Sequence, residues 1–291
     1  VQSGSVHTAY STGPASYVYD VKGKGFSPYV HGEISPSRRY KNLRFQGGLR
    51  YDMMSYNYKN NLGTLSTGDH RRPASTDLSY NHLSPKIGLI YGFSKTMNGF
   101  LSYRHAYRVP TEQNLFRQGK AEDTAGLKPI KADSFEAGFR AEGAERVRYQ
   151  LAAFLTEIKD NILTFTNTID GTTEVRNASR TVHRGVEAGA GAALTEEISF
   201  DLSLAYSRHK IAKWSPNAGV DYREKEMPMS PDITASARLG WSPTGLNGGK
   251  VEFEWSRFGG YWMDAENTRT YPGHSIYNLW VNYLTEDFEL F

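Results

Sequence analysis

Basic side chains are concentrated between residues 104 and 131, where they could form a positively charged binding surface. Six basic and three acidic residues occur there, namely Arg104, Arg108, Arg117, Lys120, Lys128 and Lys131 against Glu112, Glu122 and Asp123. A surplus of positive charge attracts anionic small molecules, such as a negatively charged metal chelate. We therefore predict ligand-binding roles for the four arginines and lysines from Arg104 to Lys120, and for Tyr107 among them. Attraction to lipid phosphates, or solubility alone, explains the same charges.

Aromatic residues in predicted loops offer ring stacking on a flat ligand. Tyrosine and tryptophan rings combine an apolar face with a polar group, and they are common in binding sites. The candidates are Trp214 and Trp262, with Tyr56, Tyr58 and Tyr271 as further loop aromatics. Packing within the loops explains these residues equally well.

Catalysis and metal binding have little support. The eight histidines show no His-x-x-x-His pair and no carboxylate at metal-ligand spacing. Cysteine is absent, which removes thiolate ligands and disulfides. Ser and Asp are too frequent in the predicted loops to define a catalytic triad. We predict no catalytic residue, no metal and no cofactor.

The elements that position these side chains are β-strands, because apolar and polar residues alternate along most of the chain. Between Leu43 and Met53 every odd position is apolar or Gly, whereas Arg44, Gln46, Arg50 and Asp52 share the even positions with Gly48. A period of two is that of a strand with one apolar face. The same pattern predicts about twelve strands, near 25–35, 43–56, 83–93, 98–107, 132–141, 146–158, 181–193, 198–211, 231–241, 250–262 and 274–284, with a last one starting at 288.

Connection lengths alternate between these strands. Short turns near 36–42, 94–97, 142–145, 194–197, 242–249 and 285–287 interleave with long polar stretches near 57–82, 108–131, 159–180, 212–230 and 263–273. Aromatic residues also collect near both ends of the apolar positions. Both features are typical of outer-membrane barrels. The predicted fold class is therefore all-β, an antiparallel transmembrane β-barrel. Its lumen or plug would be faced by Arg44, Arg50, Glu136, Arg140, Arg238, Glu252 and Glu254.

Composition excludes other classes. No apolar run approaches the roughly 18 to 20 residues that a membrane-spanning helix needs. A net charge of +3 without a dense basic block argues against nucleic acid as a partner.

No secretory signal follows Val1, so we expect a mature, trimmed or partial chain. We interpret residues 1–24 as a loop segment leading into a partial barrel over 25–291, which ends in a strand too short to cross a bilayer.

The stretch from 103 to 138, YRHAYRVPTEQNLFRQGKAEDTAGLKPIKADSFEAG, resembles the hallmark segment of TonB-dependent outer-membrane receptors. The first signature element, at a strand end, is matched by Tyr107, Arg108, Pro110 and Thr111. The second, opening the next strand, is matched by Leu127, Lys128, Pro129, Ser134, Phe135, Glu136 and Gly138. Further similarity lies at 84–94, 154–162, 183–207 and the C-terminal end, so the resemblance covers essentially residues 25–291.

The resemblance implies the C-terminal part of a barrel of about 22 strands that encloses an N-terminal plug, which is not recognisable here. It implies TonB-energised uptake of a scarce solute across the bacterial outer membrane, most often a ferric siderophore. The implied partners are outer-membrane lipid and lipopolysaccharide, the receptor's own plug, TonB and a small-molecule ligand. Haem receptors that resemble this pattern carry a His between the two signature elements, and residues 108–131 contain none.

Two other classes remain open. A passive porin or a surface adhesin would have the same wall, and a soluble all-β binding protein would also show alternation. An upstream plug with a TonB-contacting segment decides for transport, whereas partition of the intact protein into the aqueous phase of a detergent extraction decides for the soluble class.

Overall fold

One antiparallel sheet contains most of the regular structure. The computed structural model describes residues 14–36, 42–120, 124–142, 146–166, 173–215, 219–246, 248–284 and 289–290. The elements are β1 (Tyr19–Phe26), β2 (Tyr29–Ile34), β3 (Leu43–Asn60), β4 (Thr76–Gly92), β5 (Met97–Arg108), α1 (Glu112–Phe116), β6 (Ile130–Glu142), β7 (Val147–Thr166), β8 (Thr173–Ala193), β9 (Ile198–Lys213), β10 (Ile233–Trp241), β11 (Gly249–Phe258), β12 (Tyr261–Trp262), β13 (Thr270–Tyr271), β14 (His274–Leu284) and β15 (Glu289–Leu290).

The sheet is a meander in which neighbouring strands follow one another along the chain, except that β1 and β2 both pair with β3, and β11 pairs with β14. Thirteen strands take part, in the order β1-β3-β4-β5-β6-β7-β8-β9-β10-β11-β14-β15, and β2 also pairs with β3. Short turns therefore lie at one end of the sheet and long loops at the other, as the connection lengths predict. No helix among the described residues is long and apolar enough to cross a membrane.

The first predicted strand, 25–35, is wrong in its bounds. Two strands pair end to end with β3: β1 from Tyr19 to Phe26 and β2 from Tyr29 to Ile34. Pro28 lies between them and lacks the N–H that a continuous ladder needs, while its carbonyl oxygen accepts from the Tyr51 N–H at 3.0 Å. Pairing thus starts at Tyr19, earlier than the alternation shows. Residues 1–13 of the predicted loop segment, like the turn residues 285–288, lie outside the described residues.

Several strands extend past their predicted ends on the long-loop side. β3 continues to Asn60 and β4 starts at Thr76, so Tyr56 and Tyr58 lie in a strand and not in a loop. β7 and β8 pair as far as Thr166 and Thr173. Apolar alternation stops before these ends, because backbone pairing continues where neither face needs to be apolar. The strand predicted over 250–262 instead ends at Phe258, and β12 pairs separately with β13.

The two faces of the sheet differ as the alternation predicts. The register places Phe45, Leu89, Leu101, Ala137, Ala153 and Val186 in one cross-strand row. Many large side chains of this apolar face are exposed, for example Leu101 at 55% and Phe135 at 52%. The opposite, polar face carries charged residues such as Arg44, Glu136, Arg140, Arg238 and Glu254. Such an exposed apolar band is what a lipid-facing wall requires.

Candidate functional site

A five-residue helix docks against the polar face at the long-loop end of the sheet. α1 begins after Thr111, whose hydroxyl oxygen accepts from the Asn114 N–H at 3.3 Å as an N-cap. Phe116 stacks on Tyr58 with ring centroids 4.1 Å apart, and both are almost completely buried. Leu115 and Leu127 complete this contact, which we term the α1 cluster. It fixes the β5–β6 loop over β1 and β3.

Three chain segments meet beside the α1 cluster. The Arg71 N–H donates to the Gly119 carbonyl at 2.8 Å, and the Gly119 N–H donates to the Tyr17 hydroxyl at 3.1 Å. Arg117 Nε donates to the Tyr19 hydroxyl at 2.9 Å. The resulting surface, termed the basic site, contains Tyr17, Tyr19, His70, Arg71, Arg72, Arg117 and Lys120.

The basic site carries more positive than negative charge. Its four arginines and lysines face two nearby carboxylates: Asp69 pairs with Lys120 at 3.2 Å, and Glu112 accepts from the Tyr19 hydroxyl at 2.8 Å. The hydrogen bond to Tyr19 raises the pKa of Arg117 above its usual value, so its exposed guanidinium stays charged. Arg71 Nε is buried without a hydrogen-bond partner among the described residues. The arrangement can bind an anion against two tyrosine rings.

Arg117 and Lys120 are the predicted ligand residues that the structure brings together in the basic site. Arg104, Tyr107 and Arg108 lie along β5 instead. Arg104 pairs with Glu136 at 2.9 Å, and the Tyr107 ring stacks on His82 with centroids 4.3 Å apart. Arg108 is exposed at the end of β5.

Trp214 and Trp262 belong to a separate group of loops. Trp214 is 4% exposed and packs with Ile211 and Tyr222 in what we term the second loop cluster. Burial, and a hydrogen bond to Glu266, raise the pKa of Tyr222 to about 12. Trp262 lies in β12, where its carbonyl oxygen accepts from the Met229 N–H at 2.8 Å. The Trp214 and Tyr222 rings pack against each other, with centroids 5.0 Å apart, so Trp214 presents almost no surface for stacking.

The residues predicted to face the lumen or plug share the polar face of the sheet. Several are paired there: Arg44 with Glu33 at 3.4 Å, Arg50 with Asp52 at 2.7 Å and Arg238 with Glu254 at 3.1 Å. Arg140 donates to Asn98, and Glu252 pairs with Lys250 at 3.0 Å. Together with the Arg104–Glu136 pair, they form a paired polar lining. The lumen itself stays a prediction.

Local contacts account for the residue types at several signature positions. Pro110 and Thr111 start α1, and Leu127 packs into the α1 cluster. Lys128 is held by Asn177, which accepts from its N–H at 2.8 Å and donates to its carbonyl oxygen at 2.9 Å. Ser134 hydrogen-bonds Thr156, and Phe135 packs against Tyr103. Gly138 lies beneath the Phe100 ring, where a side chain would have no room.

Tyr17, Tyr19, Arg71 and Arg72 are site residues that sequence reasoning missed. The two tyrosines fall in the predicted loop segment 1–24, and the arginines lie in another long connection. Also missed were two histidine contacts between strands, His82 with His105 and His183 with His209. Only the adjacent basic residues at 71 and 72 offered a signal, and spacing along the chain could not show what they face.

Comparison with known proteins identifies the family. Residues 2–291 match the family model described as "TonB dependent receptor-like, beta-barrel". The chain belongs to the TonB-dependent receptor family. Proteins of this family are transporters, and their barrels lie in the outer membrane of Gram-negative bacteria. As a TonB-dependent receptor barrel, the sheet turns its apolar face towards lipid.

Two curated relatives are similar in sequence. The ferrioxamine B receptor of Salmonella typhimurium is 27% identical over 257 residues, which cover 88% of this chain and 33% of the relative. An uncharacterised TonB-dependent receptor of Haemophilus influenzae is 22% identical over 251 residues, covering 84% of this chain and 68% of the relative. This chain thus spans about a third of the ferrioxamine B receptor's length.

Solved structures show the same fold. The copper transporter OprC superposes with a TM-score of 0.74 at 19% identity, covering 92% of this chain and 41% of that one. The siderophore receptor PiuA of Acinetobacter baumannii gives 0.71 at 17% identity, covering 91% and 37%. The meander of this TonB-dependent receptor is therefore that of a receptor barrel wall.

Proposed function

We propose that this receptor takes up an anionic ferric siderophore across the outer membrane with energy relayed by TonB. The observation that carries the proposal is the basic site, in which three distant chain segments place Arg117 beside Tyr19 and Lys120 beside Asp69 at the long-loop end. Positive charge concentrated next to aromatic rings suits a negatively charged, partly apolar chelate. The similarity to a ferrioxamine B receptor supports the siderophore class.

The proposed mechanism assigns binding to the loops and passage to the polar face. Outer loops bind the chelate and close over it, after which the plug rearranges to open a path. The paired lining around Arg104, Arg140 and Arg238 faces the plug and keeps the lumen polar. The partners are then the receptor's own plug, TonB, outer-membrane lipid and lipopolysaccharide. No step requires catalysis, so the protein acts as a transporter and not as an enzyme.

The test is binding and uptake by cells that express the receptor as its gene encodes it. Radioactive iron would be supplied as a ferric tricatecholate, as ferric citrate and as ferrioxamine B. Replacing Arg117→Gln together with Lys120→Gln should weaken binding of the anionic chelates at least tenfold. The matched control, Lys95→Gln with Arg146→Gln, removes two positive charges at the short-turn end and should leave binding unchanged.

Iron uptake by cells that lack TonB distinguishes the proposed receptor from a passive porin and from an adhesin. Loss of iron accumulation without TonB supports the proposal. Accumulation that is independent of TonB would favour a passive porin. Tight surface binding of protein ligands, without uptake of any chelate, would favour an adhesin.

A further inference from the structure

The ladder between β4 and β5 stops before either strand ends on the long-loop side. It ends at the pair of Lys86 and Arg104, although both strands continue towards the loops. The next residue of β4 is Pro85, which has no N–H to donate to a neighbouring strand. From here on β4 pairs with β3, and β5 pairs with β6. We term residues 76–85 of β4 and 105–108 of β5 the β4–β5 seam.

Two histidine rings bridge the β4–β5 seam. The Nε2 atoms of His82 and His105 are 2.6 Å apart, and the ring centroids are 4.8 Å apart. Asp133, the partner of His105 on β6, has its Oδ1 2.7 Å from His105 Nδ1. Because an ionised carboxylate only accepts, His105 Nδ1 carries the hydrogen, and the lone pair of His105 Nε2 points at His82. A carboxylate behind the ring is the arrangement that commonly orients a metal-binding histidine.

The second histidine pair is complete without an ion. His183 and His209 contact through their Nδ1 atoms at 2.7 Å, and each Nε2 has a hydroxyl partner, Thr181 at 3.1 Å and Ser207 at 2.9 Å. Because a hydroxyl both donates and accepts, one hydrogen on each ring satisfies the whole row. The pair at the β4–β5 seam differs, since a carboxylate fixes the hydrogen of one ring on the far side. Spacing along the chain, on which our prediction of no metal rests, cannot show such a cross-strand pair.

We propose that His82 and His105 bind a transition-metal ion that prefers imidazole, such as Zn²⁺ or Cu²⁺, and that this ion clips β4 to β5 across the seam. Two nitrogens on one tetrahedral ion, each at roughly 2.0 Å, are about 3.4 Å apart, so the two Nε2 atoms separate slightly on binding. The strands accommodate this because no ladder pair fixes them there. Among the described residues no third histidine, cysteine or carboxylate joins the pair, so water completes the coordination.

The surroundings of the histidine pair suit a cation. The Tyr107 ring stacks on His82 with centroids 4.3 Å apart, and its buried hydroxyl has no hydrogen-bond partner among the described residues. Buried hydroxyls are normally hydrogen-bonded, so this one indicates a polar group that the protein itself does not provide. The carboxylates of Asp52 and Asp133 act on His82 against the ammonium of Lys131. The local charge therefore does not oppose a positive ion.

Titration of the receptor with Zn²⁺, in the form that its gene encodes, tests the proposal. The protein is purified in detergent through a tag without histidine and washed with a chelator, and isothermal titration calorimetry counts the bound ions. The wild type should bind one ion more than the double variant His82→Gln with His105→Gln. Asp133→Asn should keep the ion but bind it about 10 to 100 times more weakly. The matched control, His183→Gln with His209→Gln, removes the other pair and should bind Zn²⁺ as the wild type does.

Two further measurements decide the interpretation. Zn²⁺ should raise the urea midpoint of the wild type in lipid vesicles and leave that of the His82 and His105 double variant unchanged, because the ion joins the strands only when both rings bind it. Mg²⁺, which prefers oxygen ligands, should have no effect. Pulsed electron paramagnetic resonance of the wild type with one equivalent of Cu²⁺ should show two imidazole ligands, and this measurement needs no variant to fold.

Equal Zn²⁺ binding by the wild type and the double variant, or a copper spectrum with fewer than two imidazoles, would overturn the proposal. A wild-type midpoint that does not respond to Zn²⁺ would overturn the clip across the β4–β5 seam. No ferric chelate takes part in these measurements, so their outcome is independent of the proposal on uptake.

Discussion

On the polar face, single atoms of neighbouring strands decide whether a glycine position has room for a side chain. A Cβ at Gly138 would lie 2.5 Å from the Leu151 carbonyl oxygen and 2.8 Å from the Phe100 ring. Because the first obstacle is backbone, no rotamer change relieves it. This explains on physical grounds why the second signature element ends in glycine.

Gly138→Ala should therefore destabilise the wall. Forcing a methyl group into such a packed place costs roughly 1 to 3 kcal/mol. The measurement is the urea midpoint of unfolding in lipid vesicles, which should fall. Gly47→Ala is the matched control, since no heavy atom lies within 4 Å of its added Cβ, and its midpoint should stay or rise slightly. Equal midpoints for the two variants would contradict the steric explanation.

At the scale of elements, α1 is held by one aromatic stack more than by its own helix propensity. A helix of five residues is far too short to be stable alone. Phe116→Ala removes the stack on Tyr58 and a fully buried ring, at a cost of about 3 to 5 kcal/mol. We expect the β5–β6 loop to detach, with hydrogen exchange around Leu115 becoming fast while β5 and β6 stay protected. Gln113→Ala, at an exposed position of the same helix, should leave exchange unchanged, and slow exchange in both variants would argue against this role of Phe116.

The side chain of Asn267 joins the β9–β10 and β11–β14 loops, in addition to the hydrogen bond between Tyr222 and Glu266. The Asn267 side-chain oxygen accepts from the Glu226 N–H at 2.8 Å, and its side-chain amide donates to the Glu226 carbonyl at 2.9 Å. Its backbone adopts φ 56°, a conformation that Asn and Gly tolerate.

Asn267→Gly keeps this backbone conformation but loses both hydrogen bonds. At about 1 kcal/mol each, their loss should speed proteolytic cleavage of the β9–β10 loop by roughly tenfold or more. Asn267→Asp keeps the acceptor and should give a smaller effect. Cleavage at the wild-type rate in the Gly variant would show that the second loop cluster alone holds the loops.

The sequence predicted the wall far better than the site. Alternation located nearly every strand and placed Arg44 and Phe45 on opposite faces, because one face must meet lipid and this demand is local. It missed the start of β1, where Lys22, Gly23 and Lys24 carry no apolar signal and pairing with β3 decides the structure. The basic site joins Tyr17 to Gly119, about a hundred residues apart in the chain, and no local pattern encodes such a contact. For the same reason, the sequence pattern predicts Tyr58 to be a loop aromatic, whereas in the structure it is a buried residue of β3.

At the scale of the whole molecule, neighbouring residues of one strand face different solvents. Leu204 on β9 lies on the apolar face, within the run from Ile198 to Tyr206, and is 37% exposed. Ala205 lies on the polar face, opposite Glu187. Contact with the membrane, and not the position in the sheet, therefore determines which side chains each residue position tolerates.

Leu204→Arg should consequently prevent efficient assembly, whereas Ala205→Arg should be tolerated. An arginine on the lipid face of a barrel costs up to roughly 2 to 4 kcal/mol, most at the bilayer midplane and less towards the interfaces, and polar-face positions do not carry that penalty. The measurement is the folded fraction recovered in vesicles, together with the receptor level in outer membranes. A soluble all-β protein would accept Leu204→Arg with little loss, because its exposed leucine would already face water. Loss in the Leu204 variant alone therefore tests the membrane position of the wall independently of any cargo.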